Sequence, residues 1–91
     1  MNEVSSEKFY IYILYSHKDN NLYTGFTKDV QKRLIEHTTG KVQSTKHRRP
    51  LTLIHYEYFI NIQDAKAREV FLKSGFGRSQ MKKALQHTLH L

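Results

Sequence analysis

The chain has 91 residues, enough for one domain and too few for a second core, and its 38% hydrophobic content sets a modest limit on what that core can bury. Fifteen Lys and Arg against eight Asp and Glu leave a net charge of +7, a field of one sign that favours polyanions, nucleic acid foremost. The absence of cysteine excludes a disulfide framework and thiolate chemistry, and the longest apolar run, residues 9–15, is far short of the roughly 20 residues that cross a bilayer.

Residues 1–8 are polar and acidic, lack the basic n-region of a secretory signal, and are expected to be a flexible N-terminus on a single domain spanning residues 9–91, in a cytoplasmic protein. FYIYILY, from Phe9, is aromatic and β-branched on both alternating faces, as suits a strand covered on both sides. SHKDNN is a turn cluster, and LYTGF returns as a second strand, so that residues 9–26 read as a β-hairpin. Gly25, near the end of that strand, marks a bulge or a place where something approaches the backbone closely.

A helix follows over TKDVQKRLIEHTTG, with Thr27 as its expected N-cap, Val30 and Leu34 on the buried side and Gly40 as its stop. KVQSTKHRRP reads as a basic loop, LTLIHYEYF as a third, alternating strand, and Asn61 as the cap of a second helix, IQDAKAREVFLKSG. Gly75 and Gly77 punctuate before a last amphipathic helix, SQMKKALQHTLHL, with Met81, Leu85 and Leu89 inward. The predicted class is α+β, a three-stranded, largely antiparallel sheet flanked by helices in the order β-β-α-β-α-α.

Four features could carry chemistry. Ile62, Ala65, Glu69, Leu72 and Phe76 follow alternating steps of three and four along one helix stripe, and a carboxylate on such a stripe requires a paired cation or a metal. Lys66 and Arg68 are the local candidates for pairing. Arg33 and His37 share a face of the first helix, where a guanidinium fork and an imidazole could meet one phosphate, or where Arg33 could pair with Asp29 or Glu36. Tyr10 and Tyr12 share a face of the first strand, and Tyr23 and Gly25 a face of the second. Lys46, Arg48 and Arg49, in the basic loop, are candidates for sequence-independent phosphate contacts. The other histidines show no zinc-ligand spacing.

The ordered set of YIY at residues 10–12, YTG at 23–25, Arg33, His37 and a lone Glu69 resembles the GIY-YIG nuclease superfamily. KFYIYILYS, LYTGFTKDVQKRLIEHTTGK, TKHRRPLTLIHYEYF and DAKAREVFLKSGFGR are similar to its small stand-alone members, those related to the excinuclease nuclease domain. The likeness covers Lys8 to Met81. It implies a metal-dependent endonuclease acting on nucleic acid, with DNA ahead of RNA. Tyr12 and Tyr23 would be the paired active-site tyrosines, one of them activating water, and Gly25 the glycine that closes the second motif. Arg33 would contact the scissile phosphate, His37 would assist, and Glu69 would bind one divalent ion, Mg²⁺ or Mn²⁺. The sequence departs from the family pattern at Tyr10 and Thr24, in place of glycine and isoleucine, and at Phe26, where the excinuclease domain typically has lysine. The family's late asparagine is not evident in KSGFGRSQMKK. The alternative reading is a catalytically weak or inactive nucleic-acid-binding module on the same scaffold.

Overall fold

The computed structural model describes residues 7–90, so that most of the expected flexible N-terminus lies outside the described residues. Three strands, β1 (Phe9–Ser16), β2 (Leu22–Thr27) and β3 (Leu51–Phe59), form one antiparallel sheet in the order β2-β1-β3. Helices α1 (Val30–Thr38), α2 (Ile62–Lys73) and α3 (Gly75–Ala84) complete the α+β order expected from the sequence, and Lys46–Arg48 adds a single 3-10 turn.

Because β1 is central, both of its faces are covered. Ile11 and Ile13 pack with Ala65, Leu72 and Met81 under α2 and α3, whereas Tyr12 and Leu14 pack with Leu51 and Leu34 on the α1 side. The apolar and aromatic character of FYIYILY on both faces follows from this position. The hairpin closes on Ser16, whose buried Oγ accepts from the backbone N–H groups of Lys18 and Asp19 and donates to the Arg48 carbonyl. Asn20 takes the left-handed conformation at φ 59°, within the turn cluster the sequence marks.

The pairing of β1 with β3 contains a bulge. Tyr12 faces Tyr56 and Ile13 faces His55, but Leu14 faces Leu53, leaving Ile54 as the extra residue. One inserted residue reverses the alternation beyond it, so that Leu51 and Leu53 share a face with Tyr56 and Tyr58. His55 and Glu57 turn to the opposite side, where Arg68 Nε lies 2.6 Å from Glu57 Oε1.

The helix boundaries correct three expectations. Asp29, not Thr27, caps α1: its carboxylate accepts from Lys32 N, while Thr27 Oγ1 accepts from Asp29 N and shapes the approach. Gly40 stops α1 as expected at φ 81°, its N–H bonded to the His37 carbonyl and that of Lys41 to the Glu36 carbonyl, a Schellman arrangement. Gly75 and Gly77 lie inside α3, not before it, because Ser74 ends α2 and caps α3 by accepting from Gly77 N. The last helix therefore ends at Ala84, Leu85 still packs on the core, and Leu89 lies in turns beyond it. Phe76, placed on α3 by this break, falls off the expected α2 stripe and is 67% exposed, and Ile62 at the start of α2 is 43% exposed.

The two α3 glycines have opposite surroundings. A Cβ at Gly77 would lie 1.9 Å from the Phe71 carbonyl oxygen, whereas one at Gly75 would meet no atom within 4 Å. Gly77→Ala is therefore expected to lower stability by roughly 3 kcal/mol or more through displacement of the α2–α3 junction, and Gly75→Ala to leave it unchanged or raise it by up to about 1 kcal/mol. Urea unfolding of the two variants checks the contrast, which equal effects would refute.

Candidate active site

The site starts from a close approach between strands. Tyr12 and Gly25 are cross-strand partners, and the Tyr12 ring lies over Gly25 so that a Cβ there would sit 2.2 Å from both Cζ and the hydroxyl oxygen. Only glycine lets the phenol occupy this place. The ring is held from above by α1: the Tyr12 hydroxyl lies 2.7 Å from His37 Nε2, and the Tyr12 and Tyr23 rings stand 5.5 and 5.2 Å from the imidazole, both edge-on. His37 is fully buried, and its Nδ1 is 2.7 Å from Oγ1 of Thr45, also fully buried.

Burial is the chief cause that lowers the His37 pKa to about 4, with the charge of Arg33 adding to it, so the imidazole is neutral at pH 7 and carries one N–H. The neutral ring has one N–H for two hydroxyl partners, so it donates to one of Tyr12 and Thr45 and accepts from the other, and the tautomer sets the order.

Arg33 reaches the phenol from α1, whereas Glu69 is not hydrogen-bonded to it. Arg33 Nε donates to the Tyr12 oxygen at 3.4 Å and Nη1 pairs with Glu36 at 3.0 Å. The guanidinium remains partly exposed, with N–H groups left for an anion. Glu69 projects from α2 with its side chain 16% exposed, and its Oε2 and Oε1 lie 2.9 Å from Lys73 Nζ and 3.7 Å from Lys66 Nζ. The pairing partners are thus the two lysines, and Arg68 is committed to Glu57. Burial raises the Tyr12 pKa, the Arg33 hydrogen bond opposes it, and the negative charge of Glu69 is felt at the phenol.

The match to known proteins spans the part of the chain that holds these residues. A family model described as the GIY-YIG catalytic domain matches residues 8–84. The chain belongs to the GIY-YIG family. It is 40% identical over 91 residues to a UPF0213 protein of Limosilactobacillus reuteri, covering 97% of this chain and 94% of the relative, and 41% identical over 80 residues to one of Staphylococcus haemolyticus, covering 87% and 95%. The solution NMR structure of a UPF0213 protein from Bacillus halodurans superposes with a TM-score of 0.54 at 32% identity, covering 85% of this chain and 84% of that one.

In this GIY-YIG domain three expected site residues, Tyr23, Arg33 and His37, gather around the Tyr12 hydroxyl with Gly25 beneath, whereas Glu69, on α2, pairs with Lys66 and Lys73. His37, expected beside Arg33 on a phosphate-facing surface, instead lies behind Tyr12 with both ring nitrogens engaged. The basic loop is organised differently from the expected free segment. Arg48 holds the Asp19 carboxylate at 2.6 Å, and this hydrogen bond is the main cause that lowers the Asp19 pKa to about 2. Arg49 donates to the Lys46 carbonyl and lies against Gly40, while Lys46 itself is half-buried.

One residue, Thr45, and one contact, that of Lys66 with Phe26, escape sequence reasoning. Thr45 reads as one more residue of a polar loop, and only the fold places it under His37. Lys66 places its Nζ 3.8 Å from the Phe26 ring centroid, so that α2 brings a cation to the position where β2 has no lysine.

No group of three or more His, Cys, Asp or Glu side chains is arranged for a metal among the described residues. The donor chemistry nevertheless fits Mg²⁺ or Mn²⁺, hard cations that one carboxylate oxygen can hold when waters and substrate phosphate supply the rest.

His37 gives the domain a defined response to acid. The folded state resists protonation down to about pH 4 whereas the unfolded imidazole takes a proton near 6.5, so stability is full above 6.5 and falls as pH drops through that window. Roughly 3 kcal/mol should be lost between pH 7 and 4, at about 1.4 kcal/mol per pH unit. Asp19, with its pKa lowered, loses its contribution only below about pH 4. Urea unfolding across pH 7 to 4.5 should show a slope that His37→Gln flattens, and an unchanged slope would remove His37 as its source.

Proposed function

We propose that the domain is a metal-dependent endonuclease that hydrolyses phosphodiester bonds of nucleic acid, with DNA as the preferred polymer. The observation that carries the reading is the convergence of Arg33, His37 and Tyr23 on the Tyr12 hydroxyl. Satisfying one buried phenol does not require a guanidinium that keeps N–H groups free for an anion.

Hydrolysis requires an activated water, compensation of charge on the phosphate and a defined line of attack. Arg33 supplies the compensation: fixed by Tyr12 and Glu36, it offers its remaining N–H groups to phosphate oxygens. Tyr12, as the phenolate formed once its hydroxyl proton has passed to solvent, would accept the proton of the attacking water and return to the phenol. A phenol has a reference pKa of about 10, and burial disfavours its anion further, so a base of this kind needs donors on its oxygen. Arg33 Nε is one such donor, and His37 in its Nε2–H tautomer would be the other. Tyr23 packs against Tyr12 and His37 and holds the pair in place. Glu69 would hold the divalent ion, which when bound polarises the phosphate as a Lewis acid.

The second reading, a binding module without turnover, draws on the ion pairs at Glu69. Lys66 and Lys73 neutralise the carboxylate from two sides and compete with a cation for it.

Cleavage of labelled duplex, single-stranded and branched DNA, and of RNA, in Mg²⁺ or Mn²⁺ separates the readings. Glu69→Gln is expected to abolish cleavage with the fold intact by circular dichroism. Arg33→Ala should reduce it by on the order of 10²- to 10³-fold, as loss of one oriented charge stabiliser does. Tyr12→Phe should abolish it, and Thr45→Val should weaken it without adding to the Tyr12→Phe loss. Binding that weakens steeply with salt, without cleavage by the wild type, would leave the binding module standing.

A further inference from the structure

The α1 side of the sheet does not end at Tyr12. Tyr10, two residues earlier on β1, faces the same way, and the bulge at Ile54 turns Tyr56 and Tyr58 of the edge strand β3 onto that face. The Tyr10 ring lies between them, its centroid 6.0 Å from that of Tyr56 and 5.8 Å from that of Tyr58, with the rings tilted by 56° and 54°. Tyr56 and Tyr58 are 54% and 50% exposed, an uncommon cost in bare aromatic surface for so small a domain.

Cations accompany the rings. Lys8 Nζ stands 5.3 Å from the Tyr58 centroid, and Lys28, whose Nζ pairs with Glu7 at 3.2 Å on the surface, borders with Asp29 a hollow of about 470 Å³ between this face and the first turn of α1. Lys28 also lines the hollow on the other side of α1, which contains Arg33. One extended chain could therefore lie across the tyrosines, pass Lys28 and reach Arg33. Tyr10 and Tyr12 are about 7 Å apart along the strand, at about 3.3 Å per residue.

We propose that Tyr10, Tyr56 and Tyr58 form a stacking platform for unpaired bases, with Lys28 guiding the backbone from the platform towards Arg33. The substrate is then a single strand, or the unpaired arm of a larger nucleic acid. This rests on the nuclease reading for the direction of the strand, but stacking itself requires neither metal nor turnover. Flat aromatic faces flanked by lysines suit the faces of bases joined by phosphates, whereas a fully paired duplex presents its backbone and keeps its base faces covered. The basic net charge matches such a ligand and disfavours a second copy of this chain on the same face.

The test uses the full-length protein in EDTA with a single-stranded oligonucleotide containing 2-aminopurine, in deoxy and ribo forms, and a fully paired duplex of equal length. Wild type should quench the fluorescence and bind the single strand. Tyr56→Ala/Tyr58→Ala should abolish the quenching and weaken single-strand binding by about fivefold or more per ring, as loss of a stacked base does, with duplex binding within about twofold. Tyr56→Phe/Tyr58→Phe, which keeps the ring faces, should behave as wild type. Glu69→Gln should keep the quenching while losing cleavage, so failure of the platform and failure of the nuclease reading give different results. Equal losses on single strand and duplex, no loss on either, or a change of oligomeric state in the alanine variant with single-strand binding intact would overturn the proposal.

Discussion

The placement of Tyr12 over Gly25 is the constraint on which the rest of the site depends. A ring lying flat on a neighbouring strand needs a partner without a side chain, and the paired register supplies it. Once there, the buried hydroxyl needs hydrogen-bond partners, and α1 brings His37 and Arg33 to it one turn apart. His37 in turn needs a partner for Nδ1, which fixes Thr45 and the end of the basic loop beneath α1. A chain of four side chains from three separate parts of the sequence is thereby held by the ordinary requirement that buried polar atoms be satisfied. The same chain sets Arg33 and His37 against one phenolic oxygen, the arrangement on which the proposed chemistry draws.

The two sides of the sheet divide the work. Ile11, Ile13, Ala65, Leu72 and Met81 form an apolar layer with little polar content, and stability resides largely there. The α1 side is thinner, with His37 as the fully buried residue of α1 and Val30 and Leu34 only half-buried. A shallow layer of this kind leaves aromatic rings at the surface beside the cleft. Glu69 belongs to the apolar side by its helix and pairs there with Lys66 and Lys73. Lys66 in turn lies against Phe26 on β2.

Strands and turns were legible because their signals are local. Alternation, the SHKDNN cluster and Gly40 each act within a few residues, and they place β1, β2, β3 and the end of α1 correctly. The helix starts were less legible: Thr27 and Asp29 are both good caps, and the choice between them rests on a hydrogen bond to Lys32 N that composition does not reveal. Ser74 was overlooked because two glycines beside it are the stronger punctuation, although Gly77 is required by contact with the α2 backbone and not by a turn. Among site residues, Glu69 betrays itself as a carboxylate on an apolar stripe. Thr45 has no such signal, since its role exists only after residues 37 and 45 are folded against each other.

The bulge at Ile54 shows how far one backbone irregularity can reach. Without it, strict alternation from Leu51 would carry His55 and Glu57 to the α1 side and Tyr56 and Tyr58 to the side of α2. Glu57 would lose Arg68, and three tyrosines would not share a face. The half-buried Arg68–Glu57 pair, joined by His55 at 2.9 Å from Glu57, therefore pins the register from beneath. In Glu57 burial raises the pKa, but Arg68 and His55 outweigh it and hold the carboxylate ionised, so the pin persists at neutral pH. The inserted residue, the ion pair under it and the tyrosines above it act as one device that decides which side chains border the cleft.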